Sequence, residues 1–275
     1  MKLDKLVRKF VPSVSLLGHT KFALLVDVAD SVIRNSKKEW KSLPPASLRM
    51  RIGGKIILFS HKFFIDSGTA TIKDLSDRGF ITPTSRLLEM GCGCGRNALA
   101  LKGFLTGQGR YFGQDVDKSM IEWCSANLAN EQFTFALADI YSEVYNPKGK
   151  SVNEYRFPID QNTIDTVFSI SVFSHLLADD FNFYLKECKR VLALNGTLHM
   201  TLFLMDFIRS QLGDRWTFKF KRENCYIENE RYPEAAVAYD LDYVKQMLIA
   251  NGFELVQIYN ENLHQQTLIA RSLGE

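Results

Sequence analysis

Apolar and polar positions recur with two different periods along the chain, and the switches between them lay out the elements. Phe22, Leu25, Val26, Ala29 and Ile33 follow helical spacing, so residues 21–38 are predicted to form a helix with one buried face, closed by Pro44 and Pro45. Arg49, Met50 and Arg51, then Gly53 and Gly54, open a second section that runs through Ile56 to Gly68. Upstream, residues 1–14 put Leu3, Leu6, Val7 and Phe10 on one helical face and Lys2, Lys5, Arg8 and Lys9 around the other. Such a stripe is expected to pack on its own domain, with peripheral contact at a membrane surface as the other outcome. It lacks the apolar centre of a signal peptide, and the run 22–33 carries Asp27 and Asp30 and is too short to span a bilayer. Residues 1–80 thus read as a mostly helical extension or cap over the edge or mouth of a main domain, 81–275, with no flexible linker between them.

At Ser85 the period changes. Leu87 and Leu88 lead to Glu89 and then to Gly91, Gly93 and Gly95, a strand running into a ligand-binding turn. A helix over 97–105, a strand over 110–115, a helix over 118–129 capped by Asp117, and a strand over 133–137 ending near Asp139 follow. After a long loop, 141–162, come a strand at 164–171 and a helix whose buried face carries Phe181, Tyr184, Leu185, Cys188, Val191 and Leu192. A turn at Asn195-Gly196 and a strand at 197–203 complete four alternations, the pattern of an α/β, doubly wound, mostly parallel sheet. Residues 205–239 interrupt it as an inserted lid, where Trp216, Phe218 and Phe220 alternate with polar residues as one arm of a hairpin with 226–230. A helix over 240–251 stopped by Gly252, and strands at 253–259 and 266–271, bring the sheet to seven strands.

Composition narrows the class only slightly. With 275 residues, 46% hydrophobic and 24% charged, the chain suits one elaborated domain or a domain with a small cap. A net charge of +3 gives no reason to expect nucleic acid. Five cysteines in no paired pattern form neither a disulfide framework nor a metal site, and they fit a reducing cytoplasm.

The glycine turn narrows it further. A nicotinamide turn, GxGxxG, fails because Arg96 stands at the sixth position, and no Gly-Lys-Ser/Thr ending makes a phosphate loop. What stands here is Glu-x-Gly-x-Gly-x-Gly, with Asp115 twenty positions past the last glycine at the end of the second strand, where an acid can accept both hydroxyls of a ribose. LLEMGCGCGR, YFGQDVD, FALADI, FPIDQNTIDTVFSISVFSHL and YLKECKRVLALNGTLHMTLF, in that order over 85–203, resemble the class I S-adenosylmethionine-dependent methyltransferases.

That resemblance implies a Rossmann-like methyltransferase fold binding S-adenosylmethionine. Gly91, Cys92, Gly93 and Gly95 would let the methionine portion lie against the backbone, and Glu89 would orient the turn. Asp115, with Val116 and Met120 beside it, would hold the ribose; Asp139 and Ile140 would flank the adenine; Ser169 or Ile170 would offer a carbonyl to the amino group. His175, after the fourth strand, and Asp206, after the fifth, are the candidate bases for deprotonating an acceptor hydroxyl. Trp216, Phe218 and Tyr226 are candidate acceptor contacts, or else the lid's own core, and Arg49 and Arg51 are candidate partners for a phosphate or carboxylate, or else solvated surface residues. PPASLRMRIGG and VYNPKG are similar to stretches of bacterial methyltransferases associated with glycan genes. The expected activity is O-methylation of a sugar-containing or other small-molecule acceptor. N-methylation of an amine or protein, and cofactor or partner binding without transfer, stay open. RNA is disfavoured, because SISVFS stands where an Asn/Asp-Pro-Pro-Tyr motif would be. Nothing in the sequence sets the oligomeric state.

Overall fold

The computed structural model of the chain describes residues 21–52, 61–142, 146–212, 216–259 and 265–274. The expectations for residues 1–14, and those for 53–60, 144 and 145, lie outside the described residues. Three helices come first: α1 (Lys21–Asn35), the short α2 (Ala46–Arg49) and α3 (His61–Asp77). The core then alternates as β1 (Arg86–Met90), α4 (Arg96–Leu101), β2 (Arg110–Asp115), α5 (Lys118–Asn127), β3 (Phe133–Leu137), β4 (Ile164–Ser169), α6 (Ala178–Val191) and β5 (Leu192–Leu204). A turn of helix, α7 (Met205–Ile208), leads into the inserted segment with β6 (Phe220–Lys221), β7 (Tyr226–Ile227) and β8 (Val237–Tyr239). The chain finishes with α8 (Leu241–Ala250), β9 (Phe253–Tyr259) and β10 (Gln266–Ser272). Among the described residues no helix is long and apolar enough to cross a membrane.

The main sheet runs β3-β2-β1-β4-β5 in parallel, then β10 antiparallel to β5 and β9 antiparallel to β10. Both faces are covered, which is why the central strands β1 and β4 are buried on alternate as well as successive positions. Leu88 and Met90 pack with Phe181, Leu185 and Cys188 of α6 on one face. Leu87 points the other way, into Ile72 and Leu75 of α3 and Ala98 and Leu101 of α4. The acids Asp179 and Asp180 open α6 and the bases Lys189 and Arg190 close it, complementing its dipole.

Two local expectations change. Asn195-Gly196 does not end one element and begin another: β5 is continuous, Leu192 pairing with Ile164 and Thr197 with Thr166, and the surplus residues bulge through Asn195 at φ 60°. The predicted arm from Trp216 shrinks to Phe220–Lys221. Glu228 accepts hydrogen bonds from the amides of Thr217 (2.7 Å) and Phe218 (2.8 Å), and Phe218 sits at φ 39°, so these donors are diverted from a strand ladder. Unpredicted was β8, which extends the sheet by pairing in parallel with the last residues of β5, Phe203 opposite Ala238. It anchors the inserted segment to the core.

The helices before β1 rest directly on the core. At the crossing of α3 and α4, a Cβ added to Gly68 would stand 2.5 Å from the Arg96 carbonyl oxygen. Gly68→Val is therefore expected to push these helices apart and to cost about 1–3 kcal/mol, as overpacking does, read as a lower unfolding midpoint in urea. An unchanged midpoint would show that the crossing is loose.

Candidate active site

The glycine turn hangs on the end of β2. Gly91 and Cys92 both donate their N–H to the Gln114 carbonyl, at 2.8 and 3.0 Å. Asp115 accepts from the Gly93 N–H at 2.8 Å and from the Asp117 N–H at 2.9 Å, so one carboxylate braces both the turn and the entry to α5. Desolvation by burial raises its pKa to about 6. Asp117 caps α5 as expected, accepting from the amides of Ser119 and Met120. Gly93 is required for two reasons: its φ is +53°, and a Cβ there would lie 2.6 Å from the Ile52 Cγ2. Val172, in the loop after β4, presses on Gly91 in the same way.

Glu89 is buried beneath the turn. Its two oxygens accept from Asn97 Nδ2 and from the Tyr111 hydroxyl, both at 2.6 Å, and burial raises its pKa to about 7. Neither partner is evident from the motif. Tyr111 and Gly113 share a face of β2, and a Cβ at 113 would stand 2.8 Å from the tyrosine oxygen, so the absence of a side chain there clears its path to Glu89. The Tyr-x-Gly spacing in YFGQD was the available signal.

The remaining cofactor candidates surround the same strand ends. Met120 and Ile140 are buried, Val116 is half-buried, and Asn146 Nδ2 donates both to Asp139 and to the Ile140 carbonyl, at 3.1 Å each. Ser169 is buried at the end of β4, with Ile170 half-exposed beyond it. Cys92 and Cys94 are buried free thiols of the turn.

The arginines are not surface residues, contrary to expectation. Arg51 is buried, donating from Nη1 to Asp117 (2.6 Å) and from Nη2 to Ser119 Oγ (2.7 Å). Arg49 is fully buried against Asp30, with His61 Nε2 at 3.3 Å and Trp40 stacked on His61. Desolvation lowers the Arg49 pKa, opposed by Asp30. Both guanidinium groups are engaged inside the protein, so neither is presented to a phosphate or carboxylate acceptor, and Arg51 and Ile52 instead fasten the cap to the glycine turn.

His175 lies on the short turn after β4. Its Nδ1 is 2.7 Å from the Glu234 carbonyl of the inserted segment. A carbonyl only accepts, so Nδ1 carries the proton and a neutral ring keeps its lone pair on Nε2. Desolvation lowers its pKa, against the pull of the Glu234 and Ala235 carbonyls, which favours that neutral form. Asp206 is differently placed: it is exposed and accepts the Leu241 N–H at 2.7 Å, capping α8, so its carboxylate has a structural task. Trp216 and Phe218 belong to the insertion's own core, their rings 5.1 and 5.0 Å from Phe203. Tyr226 is half-buried with its hydroxyl 3.1 Å from Asp240.

A glycine turn over a parallel-sheet edge, an acid closing it from β2, and a covered rear carboxylate are the arrangement that the sequence motifs describe. Residues 88–200 match the family model for a methyltransferase domain. The core has the Rossmann-like fold of the class I methyltransferases. Its fold recurs in a methyltransferase from Leishmania major, at 17% identity over 87% of this chain and 82% of that one, with a TM-score of 0.53. The N1-methyltransferase of 1,6-didemethyltoxoflavin from Burkholderia thailandensis, solved with S-adenosylhomocysteine, matches at 14% identity over 77% and 79%, with a TM-score of 0.50. The [4+2]-cyclase SpnF matches at 15% identity over 75% and 82%, with a TM-score of 0.51. At these identities the likeness is one of fold.

The buried Glu89 gives the methyltransferase domain a pH signature. Its folded pKa, about 7, lies above the ordinary 4.5, so the stability it contributes is complete below 4.5 and is lost as pH rises through 7. Glu89→Gln should accordingly gain on the parent by on the order of 2–3 kcal/mol between pH 4.5 and 8 in urea unfolding. Parallel pH profiles for the two proteins would contradict this placement.

Proposed function

We propose that this chain transfers a methyl group from S-adenosylmethionine to a hydroxyl of a small acceptor, sugar-containing by the similarity of PPASLRMRIGG and VYNPKG to glycan-associated enzymes. The observation that carries the cofactor reading is Asp115 at the glycine turn. Its two N–H partners leave acceptor capacity for ribose hydroxyls, and above about pH 6 it is ionised. The buried Arg96 Nε–H at the head of α4 has no hydrogen-bond partner among the described residues, a donor suited to an anionic group at the turn. The residues present therefore fit the cofactor, and a neighbour of the same fold holds S-adenosylhomocysteine.

When bound, the cofactor supplies an electrophilic methyl on a sulfonium. Asp115 and the turn would fix its position, and Ile52 covers the buried Gly93. His175, held as the Nδ1–H tautomer, offers Nε2 to take the acceptor's proton. The same fold hosts a [4+2]-cyclase, so transfer rests on these residues and not on architecture. A reducing cytoplasm suits the five free, buried cysteines.

Labelled methyl from S-adenosylmethionine should appear in hydroxylated metabolites or glycans of a fractionated extract. Label confined to protein or RNA would contradict the acceptor assignment. His175→Ala should slow transfer about 100-fold while sparing cofactor affinity. In the parent, the rate should fall with acid only below pH 6.5, the ordinary histidine value, because burial lowers the His175 pKa. A variant with parental rate at every pH would remove His175 as the base.

A further inference from the structure

The loop after β4 carries Val172 and His175, yet its own backbone is irregular: Ser171 is exposed and sits at φ 58°, a left-handed conformation that a serine adopts only under restraint. The restraint comes from far along the chain. Gln265, immediately before β10, reaches the loop with both ends of its amide. Oε1 accepts from the Thr201 hydroxyl at 2.8 Å and from the Ser171 hydroxyl at 3.0 Å, and Nε2 donates to Ser174 Oγ at 3.2 Å. Thr201 Oγ1 in turn accepts the Ser171 N–H at 2.8 Å. The pattern is self-consistent, since an amide oxygen facing two hydroxyls places the NH2 toward Ser174. Ser174 is fully buried and adjoins His175.

We propose that Gln265 is a positioning residue of the active site, which clamps residues 171–174 so that Val172 closes on Gly91 and His175 meets the Glu234 carbonyl. Two hydrogen bonds from one half-buried side chain hold the loop at both of its ends, and a third ties that side chain to Thr201 of β5. Without them Ser171 keeps its N–H bond to Thr201, and the His175 turn keeps its internal bond to the Val172 carbonyl, the buried Phe173 and the Glu234 contact, which leave Ser171 and Ser174 without a shared tie. The expected consequence is catalytic more than global, because the clamp joins a loop to a strand end and fills no core position. The catalytic half of this proposal rests on the transferase reading above.

The test is Gln265→Leu in the full chain, beside Gln265→Glu, whose second oxygen can accept from the Ser174 hydroxyl and so preserve the clamp. Hydrogen–deuterium exchange across 170–175 should accelerate about ten-fold or more in the leucine variant and stay near the parent in the glutamate variant, with the unfolding midpoint of both unchanged. Methyl transfer should fall about ten-fold or more in Gln265→Leu, through kcat and with the acid limb of the His175 profile displaced, while S-adenosylhomocysteine affinity changes less. Parental exchange in Gln265→Leu would overturn the clamp, and loss of activity only in proportion to lost stability would overturn the positioning role. If the parent binds no S-adenosylhomocysteine, the transferase reading fails, and the exchange experiment still decides whether Gln265 holds the loop.

Discussion

The carboxylate of Asp115 is the hinge on which the site is built. A glycine turn with three left-handed residues has no side chains of its own at those positions to set its path, so backbone hydrogen bonds fix it. The end of β2 supplies them: Gln114 accepts two N–H groups from the turn and Asp115 accepts a third, at Gly93. The same acid takes the Asp117 N–H, so the start of α5 is fixed relative to the turn by a single side chain. Burying that carboxylate is costly, and the two amides offset the cost in part, leaving its pKa raised to about 6. Glu89, on the other side of the turn, shows the same trade, with Tyr111 and Asn97 as its partners.

Around this centre the less regular parts of the chain converge. The cap contributes Ile52 above Gly93 and Arg51 to Asp117, joining the helices before β1 to the cap residue of α5. Asp30, Arg49 and His61 form a buried charged knot that fixes α1, α2 and α3 to one another. Val172 reaches the turn from the loop after β4, and Glu234 of the inserted segment sets the tautomer of His175. Each contact joins segments remote in sequence.

That remoteness explains what was legible. The alternating core, the glycine spacing, Asp115 and the Asp117 cap are written in short stretches, where periodicity and capping chemistry act within a few residues. The surface character expected of Arg51 failed because its partner Asp117 lies 66 positions away and depends on how the cap docks. Asp206 looked available as a base because its role, capping α8 at Leu241, spans the whole insertion. The arm from Trp216 failed as a strand because Glu228 competes for its amides, a tertiary effect that alternation does not register. Tyr111 left a trace only in the glycine two residues beyond it, and Gln265 left none.

The central claim, that the turn braced by Asp115 binds S-adenosylmethionine, is tested most directly by titrating the full chain with S-adenosylhomocysteine in a calorimeter. Saturable one-to-one binding at pH 8, weakening as the pH drops below about 6 and lost in Asp115→Ala, is the predicted result. No heat of binding in the parent protein, or undiminished affinity in Asp115→Ala, would contradict it.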